Sequence, residues 1–506
     1  MIDNLALGFS VALSFHGLLY CFLGVFMGTV VGVLPGLGVM ATLAILMPIT
    51  FHLDTVYALI MLSGIYYGAA FGGSTASILL NLPGTANTAI TCLDGYPMAQ
   101  QGRAGVALFM TAVASFVGSI IGLLILALCA PLLAKIALNF GSPEYFTLML
   151  LGLFAAGMLS KGSHVRSTAS IFVGLLLGIV GTDISTGVQR FTLGLPELYA
   201  GLPLVAISLG LFGLPEVIGN AGRKDNVLVP SDQITLRSML PNSEDIRRSV
   251  GPMLRGSGIG AFFGALPGTG SLIASFASYV VEKKTHKDPS IFGKGAIEGI
   301  TGPESANNAA TQTAFIPTLT LGVPGDAIMA MMLGVMLIHG VAPGPRLISE
   351  QPDLFWGLVA SFLIGNVLLV IFNVPLIGLW VRLLRIPYHM LFPAILIFIC
   401  LGVYSVNYAA VDLGLVIFFG ALGYAMTLLK LEPAPLILGL VLGPMMEDNL
   451  RRTLLIFRGD FFAVLDRPLS LIFLAITFAI VSFGLFGPAF SRTKERKMRE
   501  RTPRER

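Results

Sequence analysis

The chain has 506 residues, of which 55% are hydrophobic and only 11% charged, and its net charge is +4. Soluble domains carry about 25% charged residues, so 31 basic and 27 acidic side chains cannot coat the several domains a soluble chain of this length would form. A soluble enzyme, a disordered chain and a nucleic-acid binder are excluded. An all-α polytopic membrane protein remains, and at about 20 apolar residues per span there is room for roughly ten to twelve segments.

The N-terminal Met-Ile-Asp-Asn lacks the basic region of a signal peptide, so the first apolar stretch is expected to be retained. Apolar stretches follow near 5–33, 39–50, 55–80, 104–134, 144–159, 168–182 and 200–219. A polar stretch, 221–255, then divides the chain. Beyond it lie 256–281, 313–341, 354–383, 388–405, 408–429, 434–446 and 468–490. Some are too short to span alone and read as half-helices or interfacial pieces. The expected organisation is a first membrane repeat (1–220), a polar loop (221–255), a second repeat (256–450), a C-terminal membrane segment (451–490) and a basic tail (491–506). The tail holds eight basic and three acidic residues, and the remaining chain 23 and 24. By the positive-inside rule the tail is cytoplasmic. Lys283 to Lys294 look cytoplasmic too, as does the 221–255 loop, which fits only if 256–281 is a re-entrant hairpin turning at Pro267-Gly268. Arg451, Arg452 and Arg458 then fall on the outer side, against the rule. Cys21, Cys92, Cys129 and Cys400 are scattered singly, and no metal spacing occurs.

Comparing the halves reveals a repeat. Gly-Val-Leu-Pro-Gly-Leu-Gly (32–38) matches Gly-Ala-Leu-Pro-Gly-Thr-Gly (264–270), and Leu-Pro-Gly-Thr-Ala (82–86) matches Val-Pro-Gly-Asp-Ala (323–327). Ser115 to Ser119 matches Ser361 to Asn366 with one insertion, and Pro203 and Glu216 bracket an apolar run as Pro435 and Glu447 do. Duplicated halves with a site at their interface are a common transporter design. The sequence leaves open whether the halves are parallel or inverted.

Pro-Gly pairs inside apolar stretches break helices and free backbone groups that lipid cannot satisfy. There are four: Pro35-Gly36, Pro83-Gly84, Pro267-Gly268 and Pro324-Gly325. Half-helices beginning at such breaks can aim N–H groups at an anion. The substrate-binding candidates are Gly36, Gly38, Asn81, Gly84, Thr85, Asn87, Gly268, Thr269, Gly270, Ser271 and Gly325. Asp326, a carboxylate inside an apolar stretch, is a candidate for cation coupling together with Asn307 and Asn308; a helix cap is the alternative reading for Asp326. Glu304 could do similar work unless it lies in a 283–312 loop. Interhelical hydrogen bonding is the bland reading for each serine and threonine. No nucleotide-binding Gly-x-x-x-x-Gly-Lys-[Ser/Thr] occurs, and no enzyme is expected.

These same residues resemble the large membrane subunit of the tripartite tricarboxylate transporters. The resemblance is carried by Gly32 to Gly38, Tyr67 to Thr85, Asp94 to Ala99, Gly264 to Gly270, Gly302 to Asn308, Thr320 to Gly325 and Glu447 to Arg452, and runs over about residues 10 to 490. It implies a bacterial inner-membrane permease working with a small four-helix membrane subunit and a periplasmic solute-binding protein. It further implies import of carboxylates such as citrate, driven by Na⁺ or H⁺, with no other cofactor. Moving a trianion into a cell about 100 mV negative inside costs roughly 7 kcal/mol at about 2.3 kcal/mol per charge. Such uptake requires cotransported cations. The rival readings are an uncoupled carboxylate channel and a non-transporting membrane scaffold.

Overall fold

In the computed structural model the described residues are 2–34, 38–159, 163–183, 185–220, 237–384 and 388–501. They are almost wholly helical. In the first half, α1 (Ile2–Ala12), α2 (Phe15–Val33), α3 (Val39–Thr50) and α4 (Thr55–Leu80) precede a short 3-10 turn (Ala86–Thr91) and α5 (Cys92–Met98). Then come α6 (Ala104–Ala137), α7 (Ser142–Leu159) and α8 (His164–Gly178). A two-residue ladder of β1 (Gly181–Thr182) and β2 (Gln189–Arg190) forms a small hairpin before α9 (Leu204–Ser208) and α10 (Leu214–Asn220).

The second half begins with α11 (Ser243–Ala265), α12 (Gly270–Thr285), α13 (Glu298–Thr313), α14 (Phe315–Leu321) and α15 (Ala327–Ile338). It continues through α16 (Leu347–Glu350), α17 (Pro352–Asn373), α18 (Ile377–Leu383), α19 (Tyr388–Asn407), α20 (Ala410–Leu428), α21 (Ala434–Ile456) and α22 (Pro468–Arg501). Among the described residues, five helices are long and apolar enough to cross a membrane. Two of the shorter apolar helices, α3 and α15, begin just after Pro-Gly breaks.

Glycine seams set the packing. On α2, a Cβ added at Gly24, Gly28 or Gly32 would run into the carbonyl of Met61, Ile65 or Ala69 on α4. The numbers rise together, so α2 and α4 are parallel and in backbone contact. On α11, Gly256, Gly260 and Gly264 meet the carbonyls of Gly302, Ala306 and Ala310 on α13 in the same way. Each seam lies 232 positions from its counterpart. Because α2 and α4 are parallel, α3 between them runs back, and α2 and α3 form a hairpin. The α11–α12 pair is likewise a hairpin: Arg255 donates to Glu282 across it at 3.0 and 2.5 Å.

The two sets run in opposite directions. Tyr67 on α4 donates to Gln312 on α13 and Ser74 to Glu304, so numbers rise on one helix as they fall on the other. The α6 helix runs with α13, its Gly118 and Gly122 on Ser305 and Ala309. Its counterpart α17 runs with α2, Cys21 contacting the Ser361 carbonyl and Gly365 lying on Val25. The packing is also exchanged, α6 resting on α13 and α17 on α4.

One end of the molecule carries the pairs Arg103–Asp245, Arg248–Glu298 and Arg255–Glu282. Asp94 locks that end. Its Oδ1 accepts the amides of Gly293, Gly295 and Ala296 at 2.8–2.9 Å, and its Oδ2 accepts Tyr279 Oη at 2.9 Å. The β-hairpin, the ends of α3 and α15, and the end of α21 lie at the opposite end. Arg451 is there, bonded to Asp183 at 2.7 Å and Glu447 at 2.8 Å.

Candidate functional site

Each second break is built as a helix stop followed by a helix start. Asn81 (φ 56°) ends α4 and Gly322 (φ 67°) ends α14, both left-handed. Such a residue closes a helix, and Gly and Asn tolerate the conformation best. Pro83-Gly84 and Pro324-Gly325 follow, and then come two N-caps at equivalent positions, Thr85 and Asp326. The Thr85 amide donates to Thr88 Oγ1 at 3.2 Å. Asp326 Oδ1 accepts the Met329 amide at 2.8 Å, and Oδ2 accepts Tyr66 Oη at 3.2 Å.

The breaks meet one another. The Gly268 amide donates to the Gly325 carbonyl at 2.8 Å, joining the two breaks of the second half. Gly268 (φ 82°) and Gly270 (φ 63°) are left-handed, and a Cβ at Gly270 would sit 3.2 Å from that of Asp326. Gly84 lies on the backbone of Gly32 and Gly73, too close for any side chain. Asn87 Nδ2 donates to Ser271 Oγ at 2.6 Å, linking the element after a first-half break to the half-helix after a second-half break. Thr269 Oγ1 caps α11 through the Phe263 and Leu266 carbonyls. Gly36 lies outside the described residues. Asn81 is exposed, one turn from this locus.

The α3 N-terminus already holds a carboxylate: the Gly38 amide donates to Glu216 Oε1 at 2.6 Å. The sequence marked Glu216 only as a repeat position. The bond shows that this helix end accepts a carboxylate oxygen, the chemistry expected of free N–H groups at a positive dipole end.

Asn307, Asn308 and Glu304 lie on α13, all sixteen of whose residues are buried. The segment is therefore a core helix from residue 298 on. Its Gly, Ser, Thr and Asn content hides it from an apolar count, because backbone contacts rather than large side chains fill the space around it. Asn308 donates to the Glu304 carbonyl at 2.9 Å, while Nδ2 and Oδ1 of Asn307 have no hydrogen-bond partner. Glu304 accepts hydroxyls from three elements: Ser74 at 2.7 Å, Thr91 at 2.5 Å and Ser115 at 3.4 Å.

A cavity lies elsewhere. A space of about 1080 Å³ opens at the hairpin end, lined by Phe51, Asp183, Arg190, His339, Glu447 and Arg451 among others. It reaches the outer ends of α3 and α15, both of which start at breaks, and α3 packs on α15. Its polar wall is an ion network: Arg190 to Glu447 at 2.9 Å and Arg451 to Asp183 at 2.7 Å. The Ser185 amide first, and then the Arg451 guanidinium, hold the Asp183 carboxyl below its ordinary range.

The sequence was compared with known proteins. The family described as "Tripartite tricarboxylate transporter TctA family" matches residues 18–438. An "Uncharacterized 52.8 kDa protein in TAR-I ttuC' 3'region" of Agrobacterium vitis is 50% identical over 485 residues, 96% of each chain. An "Uncharacterized protein in TAR-II ttuC' 3'region" of the same organism is 53% identical over 226 residues, 45% of this chain and 93% of that protein. No solved structure matches.

Proposed function

The chain belongs to the tripartite tricarboxylate transporter TctA family, and from that premise we propose that it is the permease of an ion-gradient-driven carboxylate importer. It works in the bacterial inner membrane, its tail in the cytoplasm, beside a small four-helix membrane subunit and a periplasmic solute-binding protein. The substrate is a tricarboxylate or a related carboxylate such as citrate, and the coupling ion is Na⁺ or H⁺.

The observation that carries this reading is the joining of breaks: Asn87–Ser271 links the two oppositely running helix sets, and Gly268–Gly325 joins the two breaks of the second half. Broken backbone at membrane depth is tolerated where it is packed in protein or lines a wet site. Half-helix N-termini suit an anionic substrate, and the Gly38–Glu216 bond supports that use here. Gly38, Gly84, Gly268, Gly270 and Gly325 give close backbone approach. Thr85, Asn87, Thr269 and Ser271 fix carboxylate oxygens, and Asn81 shapes the stop before them. Asp326, Asn307 and Asn308 stand on the cation side. A channel would need no cation side, and a scaffold would need no breaks.

The test is uptake of labelled citrate into proteoliposomes holding this chain, its small subunit and its binding protein, with Na⁺ and pH gradients imposed separately. Accumulation under one gradient supports coupled import and names the ion. Equilibration without accumulation supports the channel. No movement of any di- or tricarboxylate by folded protein supports the scaffold.

A further inference from the structure

Among the described residues, the buried acids are satisfied in different ways. Asp245, Glu282 and Glu298 are paired with arginines. Asp94 accepts three backbone amides, Glu144 accepts the Gly141 amide, and Asp412 accepts an Asn407 side-chain N–H. Asp183 faces Arg451. Glu304 differs from all of these. It is 1% exposed, sits in the middle of α13 away from either helix end, and forms no ion pair. Its side-chain partners are hydroxyls only: Ser74 on α4, Thr91 on the 3-10 turn and Ser115 on α6.

This shell has a property that N–H donors lack. A backbone amide or a guanidinium can only donate, so it fixes the acid as an anion. A hydroxyl can donate to a carboxylate, or rotate and offer its lone pairs to a cation or a protonated acid. A buried charge without a partner is strongly disfavoured. An all-hydroxyl shell therefore accommodates both the empty and the cation-loaded acid through rotation of three O–H bonds. Asp326 has less of this freedom, because one of its oxygens is held by the Met329 amide at the N-terminus of α15 and only the other faces a hydroxyl, that of Tyr66.

We propose that Glu304, with Ser74, Thr91 and Ser115, is the site of the small monovalent cation, H⁺ or Na⁺, that is carried with the substrate. The proposal rests on the importer reading above. The geometry also supplies the link between the two ligands. Thr91 closes the 3-10 turn Ala86–Thr91 at its Glu304 end, and Asn87 on the same turn bonds Ser271 at the breaks. One six-residue element thus touches the cation site and the break locus. A hole of about 10 Å³, the size of one water, is lined by Thr75 on α4, Thr111 on α6 and Asn373 among others. Thr111 Oγ1 and Asn373 Oδ1 have no partners there, and Thr111 is one helical turn from Ser115. The other titratable groups around Glu304 are Cys92, beside Thr91, and Glu282 on α12, which packs on Gly302 and is committed to Arg255. No lysine, arginine or histidine among the described residues forms an ion pair with Glu304.

The test compares wild type with Glu304→Gln, Thr91→Val and Ser115→Ala, as the full chain with its partners. In proteoliposomes, Glu304→Gln should lose gradient-driven citrate accumulation at least tenfold. Separately, the purified chain without substrate is melted against NaCl at constant pH, and against pH without Na⁺. A rise in melting temperature with NaCl that Glu304→Gln abolishes assigns Na⁺; a pH-dependent shift that it abolishes assigns H⁺. Thr91→Val and Ser115→Ala should weaken that dependence several-fold while still folding. Wild-type cation dependence surviving in Glu304→Gln and in both hydroxyl variants would overturn the proposal. If wild type accumulates no carboxylate, the importer reading fails, yet the melting experiment still decides the cation site.

Discussion

At the scale of single residues, the breaks make the sharpest demands. Gly268 has φ 82°, and a Cβ there would strike the Ala156 backbone. A left-handed non-glycine residue costs roughly 1–2 kcal/mol before any clash. Gly268→Val is expected to abolish citrate uptake while leaving protein in the membrane, measured by uptake and immunoblot on the same vesicles. Asp326 makes a different demand. An N-cap aspartate replaced by alanine loses about 1 kcal/mol, and by asparagine little. Asp326→Ala should therefore lower the melting temperature and Asp326→Asn should not. If Asp326 were the mobile-cation carrier, Asp326→Asn would instead shift the ion dependence of uptake. Much of this was legible in the sequence, because Pro-Gly pairs and the N-cap residue types are local signals. Glu304 was not. Its partners come from positions 74, 91 and 115, and only folding brings them to one carboxylate.

At the scale of elements, the seams decide which helices can touch. Gly260 faces the Ala306 carbonyl, whereas nothing lies within 4 Å of a Cβ at Gly258, two residues away on the exposed side of α11. Gly260→Leu should collapse the yield of monodisperse protein on size-exclusion chromatography, and Gly258→Leu should leave it unchanged. The repeat of 32–38 at 264–270 marked the ends of these seams, but their direction needed the register of contacts. The polar stretch 221–255 also turned out to hold the first turns of α11, which starts at Ser243 behind the Asn242 cap. Arginines at 247, 248 and 255 hid that helix. At the hairpin end, Asp183 makes a pH prediction. Its value is lowered by the Ser185 amide and by Arg451. Its contribution is therefore complete above the ordinary carboxylate value of about 3.9 and is lost as pH falls through the lowered value. Protease sensitivity of the 181–203 segment should be flat from about pH 5 to 8 and rise only in stronger acid.

At the scale of the whole molecule, the opposed helix sets predict sidedness. The α3 helix ends next to His52 and α12 ends next to Lys284, and these ends face opposite sides. In a background lacking the exposed Cys129 and Cys400, His52→Cys and Lys284→Cys should be labelled by an impermeant maleimide from opposite faces of the membrane. Labelling from one face would make the sets parallel. Composition revealed the membrane class, and four matched motifs pointed to a duplication. The relative orientation stayed closed to the sequence, because it depends on which residues of α4 lie against which of α13.

The exchanged packing of α6 on α13 and α17 on α4 bears on how the protein is made. When the ribosome has delivered residues through α10, α4 is already in the bilayer beside α2, yet α17, which packs on α4, and α13, which packs on α6, have not been synthesised. Ser74, Thr91 and Ser115 at that moment have no Glu304 to meet. The early half must wait, held by lipid or by the insertion machinery, and final assembly is a late event that involves both halves at once. Two half-length chains expressed together should then rescue each other, and neither alone should resist proteolysis.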